Sequence, residues 1–172
     1  MFSTDLFTKL DEDSSCGRSL KPRFWKKRNR MKLEMELVPK PLWRKTVAKL
    51  LPRYRWSGIR NERICEKGER CEICNSSGPV QLHEVWRYDD ERYIQRLDGF
   101  ILLCIKCHSV KHWVRTNLIA SRGQVDLQEL RDHFCRVNQC GPEVLKEHEK
   151  ESLAKWRERS RHKWIQNLGQ YQ

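Results

Sequence analysis

Seven residues between positions 71 and 112, four cysteines and three histidines, have the types and spacing that chemistry needs. Cys71-Glu72-Ile73-Cys74 and Cys104-Ile105-Lys106-Cys107 are two C-x2-C pairs about thirty residues apart. Within each pair a tight backbone turn can aim two sulfurs at one ion. Two such pairs supply the four thiolates that a tetrahedral zinc takes when its role is structural and its coordination closed. The competing reading, four buried thiols with no metal, leaves two matched pairs around one loop to chance. We read Cys71, Cys74, Cys104 and Cys107 as one structural Zn2+ site.

His83, His108 and His112 are left over. His108 and His112 are four apart, so a helix that starts at the second cysteine pair sets both on one face. His83 lies in the β-prone run Val80-Gln81-Leu82-His83-Glu84-Val85-Trp86, and Phe100-Ile101-Leu102-Leu103 reads as a second strand. A hairpin closed onto the helix by zinc would bring His83 beside the other two rings, with coordination positions left for water or substrate. Three imidazoles around an open position describe a catalytic metal site. The plainer alternative makes His108 or His112 a substitute for one cysteine at the zinc, or a helix cap.

Taken together, these residues resemble the HNH, or ββα-metal, endonucleases. The family's C-x2-C, paired-histidine region, Leu-Leu-Cys-x2-Cys-His and final histidine are matched by Cys71 and Cys74, Leu82-His83-Glu84, Leu102-Leu103-Cys104-Ile105-Lys106-Cys107-His108, and His112, over about a quarter of the chain. The resemblance implies that His83, His108 and His112 hold a catalytic divalent ion (Mg2+, Mn2+, Ni2+ or Zn2+) on the scissile phosphate. It implies a metal-dependent endonuclease that hydrolyses DNA, by nicking or by double-strand cutting as a homodimer, in a setting such as phage biology or antiviral defence. Two positions depart from the family pattern. The general base is normally the second residue of the paired region, which here is Glu84, so either Glu84 or His83 takes that role. The usual asparagine five residues before the third cysteine is replaced by Gly99, whose backbone freedom is expected to make the same turn. The alternative function on this scaffold is a non-catalytic zinc-stabilised module that binds nucleic acid or a protein partner.

The remaining chain must position this module. At 172 residues, 38% hydrophobic and 34% charged, it is long enough for one domain or a little more. A net charge of +12 points to a polyanionic partner. No apolar run approaches the roughly twenty residues that span a bilayer, and no signal-peptide core opens the chain, so a soluble protein with no membrane partner is expected. Cys16, Cys65, Cys135 and Cys140 show no paired framework, which favours a reducing, cytoplasmic setting, bacterial or phage.

The expected fold class is α+β and mostly helical, a small ββα-metal module flanked by helices. Residues 1–36 read as a basic arm, disordered when free, with Phe24 and Trp25 among its cations. Residues 37–70 read as an N-terminal helical lobe. Its first helix covers 42–51 with Trp43, Val47 and Leu50 inward, and its second runs from Ser57 as N-cap to Lys67. The zinc module takes 71–116, and 117–172 form C-terminal helices. One of these opens at Asp126 with Leu127, Leu130, Phe134 and Val137 inward. The other runs from 143 to 168 behind Pro142, with Leu145, Leu153, Trp156 and Trp164 inward. The acidic stretch 87–93 is expected to pair with nearby arginines. His133, His148 and His162 read as surface or core residues.

Overall fold

A long β-hairpin and the short helix that follows it are the frame on which everything else rests. In the computed structural model, which describes residues 31–171, strand β1 (Gln81–Asp89) pairs antiparallel with β2 (Ile94–Leu103). Helix α3 (Ile105–Lys111) begins directly after β2. A third strand, β3 (Ile165–Asn167), joins β2 in parallel, so the sheet order is β1-β2-β3. The helices are α1 (Val47–Leu50), α2 (Arg53–Lys67), α4 (Trp113–Ala120), α5 (Leu127–Asn138) and α6 (Pro142–Arg159). The fold is α+β, and among the described residues no helix is long and apolar enough to cross a membrane.

The strands extend well beyond the apolar runs that announce them. Their outer halves carry charge, and the charges are used. Arg87 donates two hydrogen bonds to Asp98 across the ladder, at 2.9 and 2.8 Å. Asp89 Oδ1 accepts from Glu91 N and Arg92 N and closes the turn. Asp90 accepts two bonds from Arg159 of α6, at 2.6 and 2.8 Å. The acidic stretch is therefore paired, with α6 as well as with its neighbours. Gly99 does not form a hairpin turn. It sits inside β2 at φ 150°, opposite Val85, where the register shifts between Val85 and Trp86. That conformation strongly favours glycine, and the resulting bulge bends the hairpin.

Two apolar clusters flank the sheet. The larger packs Leu103, Cys107, Val110 and Trp113 against Leu130 and Phe134 of α5 and Leu145 of α6. Leu33, Met35 and Leu37 belong to it as well, so residues 31–36 thread the core instead of ending an arm. Asn138 fixes them by accepting from Leu33 N at 3.0 Å and donating to Leu33 O at 2.8 Å. Positions 1–30, with Phe24 and Trp25, lie outside the described residues. The smaller cluster gathers Val47, Leu51, Leu97 and Phe100 beneath Trp56.

Helix boundaries differ from the periodicity at three places. The span expected as one helix over 42–51 is a 3-10 turn (Lys40–Leu42) followed by the single turn of α1, separated at Arg44, whose φ is 69°. Trp43 thereby faces outward. Helix α2 begins four residues before Ser57 because Pro52 serves as its N-cap residue and its missing N–H costs a helix end nothing. Helix α6 ends at Arg159, not near 168: Trp164 folds back so that its indole donates to Arg159 O at 2.7 Å, and Ile165 enters the sheet. Helix α5 follows its pattern, with Asp126 Oδ1 capping Gln128 N at 2.7 Å.

Candidate functional site

The first cysteine pair sits in a knuckle that backbone bonds close. Asn75 N donates to Cys71 O at 2.8 Å, Cys71 N to Ser76 O at 2.9 Å, and Asn75 takes a left-handed φ of 62°. Glu72 ties the knuckle to the sheet: its N–H donates to Leu102 O and its Oε1 accepts from Leu102 N, both at 2.8 Å. Arg63 of α2 holds the same carboxylate. The second pair spans the start of α3, where Cys104 is the N-cap and its sulfur accepts from Cys107 N.

These two turns bring the sulfurs of Cys71, Cys74, Cys104 and Cys107 within 4.8 Å of one another. Cys71 and Cys107 are fully enclosed. The four cysteines could hold a structural metal ion, and an all-sulfur tetrahedral donor set fits zinc. Crowding drives their acidities apart. Hydrogen bonds from Cys107 and then Cys71 pull Cys104 far below the ordinary thiol value, while the Cys104 sulfur pushes both Cys107 and Cys71 up. His133, expected as a surface or core residue, is buried with Nε2 3.1 Å from Cys107 Sγ, so it adds a hydrogen bond to the sulfur cluster.

On the other side of α3 lies the histidine cluster. His83 is near the start of β1, paired with Ile101, and is 4% exposed. His108 and His112 are successive turns of helical backbone, with His112 N donating to His108 O. The ring centroids are 5.2 Å apart for His83 and His108, 5.0 Å for His83 and His112, and 4.7 Å for His108 and His112. One nitrogen from each lies within 4.8 Å of the others. Burial, followed by the charges of His83 and Arg115, lowers His108 to about 4 and His112 to about 3. Both are therefore neutral imidazoles near pH 7, the form that offers a lone pair to a metal. The chemistry of this donor set fits a divalent ion. Neither His108 nor His112 belongs to the four-sulfur group.

Three residues that sequence reasoning missed complete the site. Glu36 Oε2 lies 3.2 Å from His83 Nε2, and its other oxygen pairs with the buried Lys111. Burial works against this carboxylate, but the bond to His83 and the Lys111 charge hold it below its ordinary range. A carboxylate on one ring nitrogen fixes the tautomer and aims the other nitrogen, which is how metal-binding histidines are commonly oriented. Arg115 of α4 shares the wall of a cavity of about 540 Å3 with His83, His108 and His112. No local signal marks Glu36 or Lys111, which lie 47 residues before and 28 residues after His83. Arg115 stands three residues after His112, and that spacing was the one available hint.

Glu84 also lines this cavity. Its Oε1 accepts from Val47 N at 2.7 Å, at the start of α1, and its Oε2 accepts from Trp86 Nε1 at 3.0 Å. Burial raises its pKa above the ordinary carboxylate value, and these donors only partly offset that. No protein-family model, no curated protein and no solved structure matches this chain.

Proposed function

We propose that the chain is a metal-dependent phosphodiesterase of the HNH type, acting on DNA as an endonuclease. The observation that carries this reading is the convergence of three imidazoles, from β1, from α3 and from the C-cap of α3, on one open cavity. His83, His108 and His112 would hold the ion, and Cys71, Cys74, Cys104 and Cys107 a structural zinc. A divalent ion so held supplies charge stabilisation on phosphate oxygens. Arg115, exposed beside the imidazoles, adds a fixed positive charge for the phosphate. Glu36 keeps His83 in one orientation. Glu84 is the favoured candidate for the base, because it lines the same cavity as the three imidazoles. His83 has one nitrogen committed to Glu36.

A second reading is favoured by one observation: both oxygens of Glu84 already serve the fold, one at α1 and one at Trp86. A carboxylate held for that purpose alone belongs to a non-catalytic zinc module that binds nucleic acid or protein. Cleavage assays on supercoiled plasmid and on labelled single-stranded DNA, each with Mg2+, Mn2+ and Ni2+, decide between the two. The enzyme reading expects cut product from at least one substrate with at least one ion. Both substrates intact with all of the ions, while still shifting in a gel, leave the binding module.

A further inference from the structure

We propose that the cavity beside the imidazoles receives an unpaired nucleobase, so that the substrate is single-stranded nucleic acid or an unpaired end. The proposal rests on reading the three histidines as a hydrolytic centre and names that centre's substrate class.

The walls carry the argument. Trp43, Trp56, Trp86, Trp156 and Tyr88 all border the cavity that contains His83, His108 and His112. Its volume of about 540 Å3 falls within the roughly 300 to 1,000 Å3 of small-ligand clefts. Trp43 is 44% exposed, an unusual position for an indole that could have been buried. Its orientation is set in advance. Trp43 Nε1 donates to Val38 O at 2.8 Å, and Trp156 Nε1 donates to the same oxygen at 3.0 Å. The two rings stack at 6.1 Å with 21° between their planes. A stacked, anchored indole with an open face costs little further ordering when a flat ligand settles on it.

Charge selects the occupant. Arg44, Lys45 and Arg115 are exposed on the rim, and Arg44 is held at φ 69°, a conformation that side chains other than glycine seldom adopt. An apolar peptide or acyl chain would have no use for three cations around its pocket. A nucleotide would, because its base is an apolar disc and its flanking phosphates are anions. Base stacking on aromatic side chains combined with a cationic track is how single strands are bound. A paired base has both faces covered by its neighbours and must leave the helix before an indole can reach it.

The test is fluorescence anisotropy of the full chain, without added divalent ion, using labelled single-stranded DNA, single-stranded RNA and a blunt DNA duplex of one length. Single strands should bind about ten-fold or more tightly than the duplex. Trp43→Ala should remove that preference while duplex affinity and zinc content stay unchanged, and Trp43→Phe, which keeps a ring, should retain most of it. The DNA and RNA arms tell which sugar is preferred. Equal binding of duplex and single strand overturns the proposal, as does equal weakening of both by Trp43→Ala. So does a Trp43→Ala protein that binds everything as wild type does, which would mean that the indole takes no part in binding. A strand preference in a protein that cuts nothing upholds this inference and ends the hydrolytic reading; cutting without a preference does the reverse.

Discussion

Two clusters of potential metal ligands meet at α3: its N-cap Cys104 and Cys107 belong to one, His108 and its C-cap His112 to the other. In the cysteine cluster Cys71 and Cys107 are buried while Cys74 and Cys104 border a second cavity of about 700 Å3, and four sulfurs match the full set of a tetrahedral ion. The histidine cluster brings three donors and opens on a cavity with Arg115 on its wall. Both are enclosed enough to shift acidities, yet in different senses. The thiols shift against one another, whereas burial keeps His108 and His112 neutral. Both clusters border a cavity, so the difference lies in the donors: four sulfurs fill a tetrahedral shell and three imidazoles leave a position over.

The sharpest way to break this contrast is Cys104→Ser. Losing one of four ligands removes folding free energy outright, more than roughly 5 kcal/mol and comparable to the whole stability of a domain. Circular dichroism should show the module unfolded, with zinc absent by atomic emission. A chelator strong enough to strip zinc should do the same to the wild type. If either leaves the melting curve unchanged, the cluster holds no structural ion.

His108→Ala should act on the other cluster alone. Nicking activity is expected to fall at least about 100-fold, with zinc content and melting temperature close to wild type. Loss of zinc in this variant would mean that His108 serves the sulfur site and that the two clusters are one.

Glu36→Gln sharpens the comparison further, because Glu36 serves both the histidines and the fold. It should weaken divalent-ion binding at the imidazoles about 10- to 100-fold, read by calorimetry. It should also cost roughly 3 kcal/mol by leaving Lys111 buried without its counter-charge. Pairing it with Lys111→Met separates the two effects. Stability should return and ion affinity should not; recovery of both would reduce Glu36 to a structural role.

The smallest effect belongs to Tyr88, which accepts from Gln95 Nε2 at 2.9 Å. Tyr88→Phe should cost about 1 kcal/mol at pH 7. Burial pushes the phenol well above its ordinary value of 10.0, so the folded state holds that proton more tightly than the unfolded chain does. The stabilisation is full below pH 10 and fades as pH rises past it. At pH 11 the wild type should have lost about 1.4 kcal/mol relative to the variant, enough to close and slightly reverse the gap in urea midpoints. A gap that persists from pH 7 to 11 would show that the phenol titrates as if it were exposed.

What was legible in the sequence was local. The cysteine pairs declare themselves because a C-x2-C turn brings its sulfurs together by backbone geometry alone. His108 and His112 align because helical spacing does so. Asp126 announces α5 because a side-chain oxygen two residues from an orphan N–H can hardly do otherwise. The outer strands were not legible, since Arg87, Asp89 and Asp98 look like loop until their cross-strand partners are known. Neither was the end of α6, whose last turn is closed by Trp164 folding back while helical periodicity runs on.

The amino-acid order by itself determined which side chains could bind a metal, and it set one pair from each group, Cys104 with Cys107 and His108 with His112, along one short helix and its caps, because ligand type and near-neighbour spacing are properties of the chain. Only the folded molecule decided that Glu36 and Lys111 meet His83, that Glu84 is shared between α1 and Trp86, and that indoles from four segments frame one cavity. Those contacts join residues tens of positions apart, and their energies depend on burial and orientation, which exist only once the core has closed.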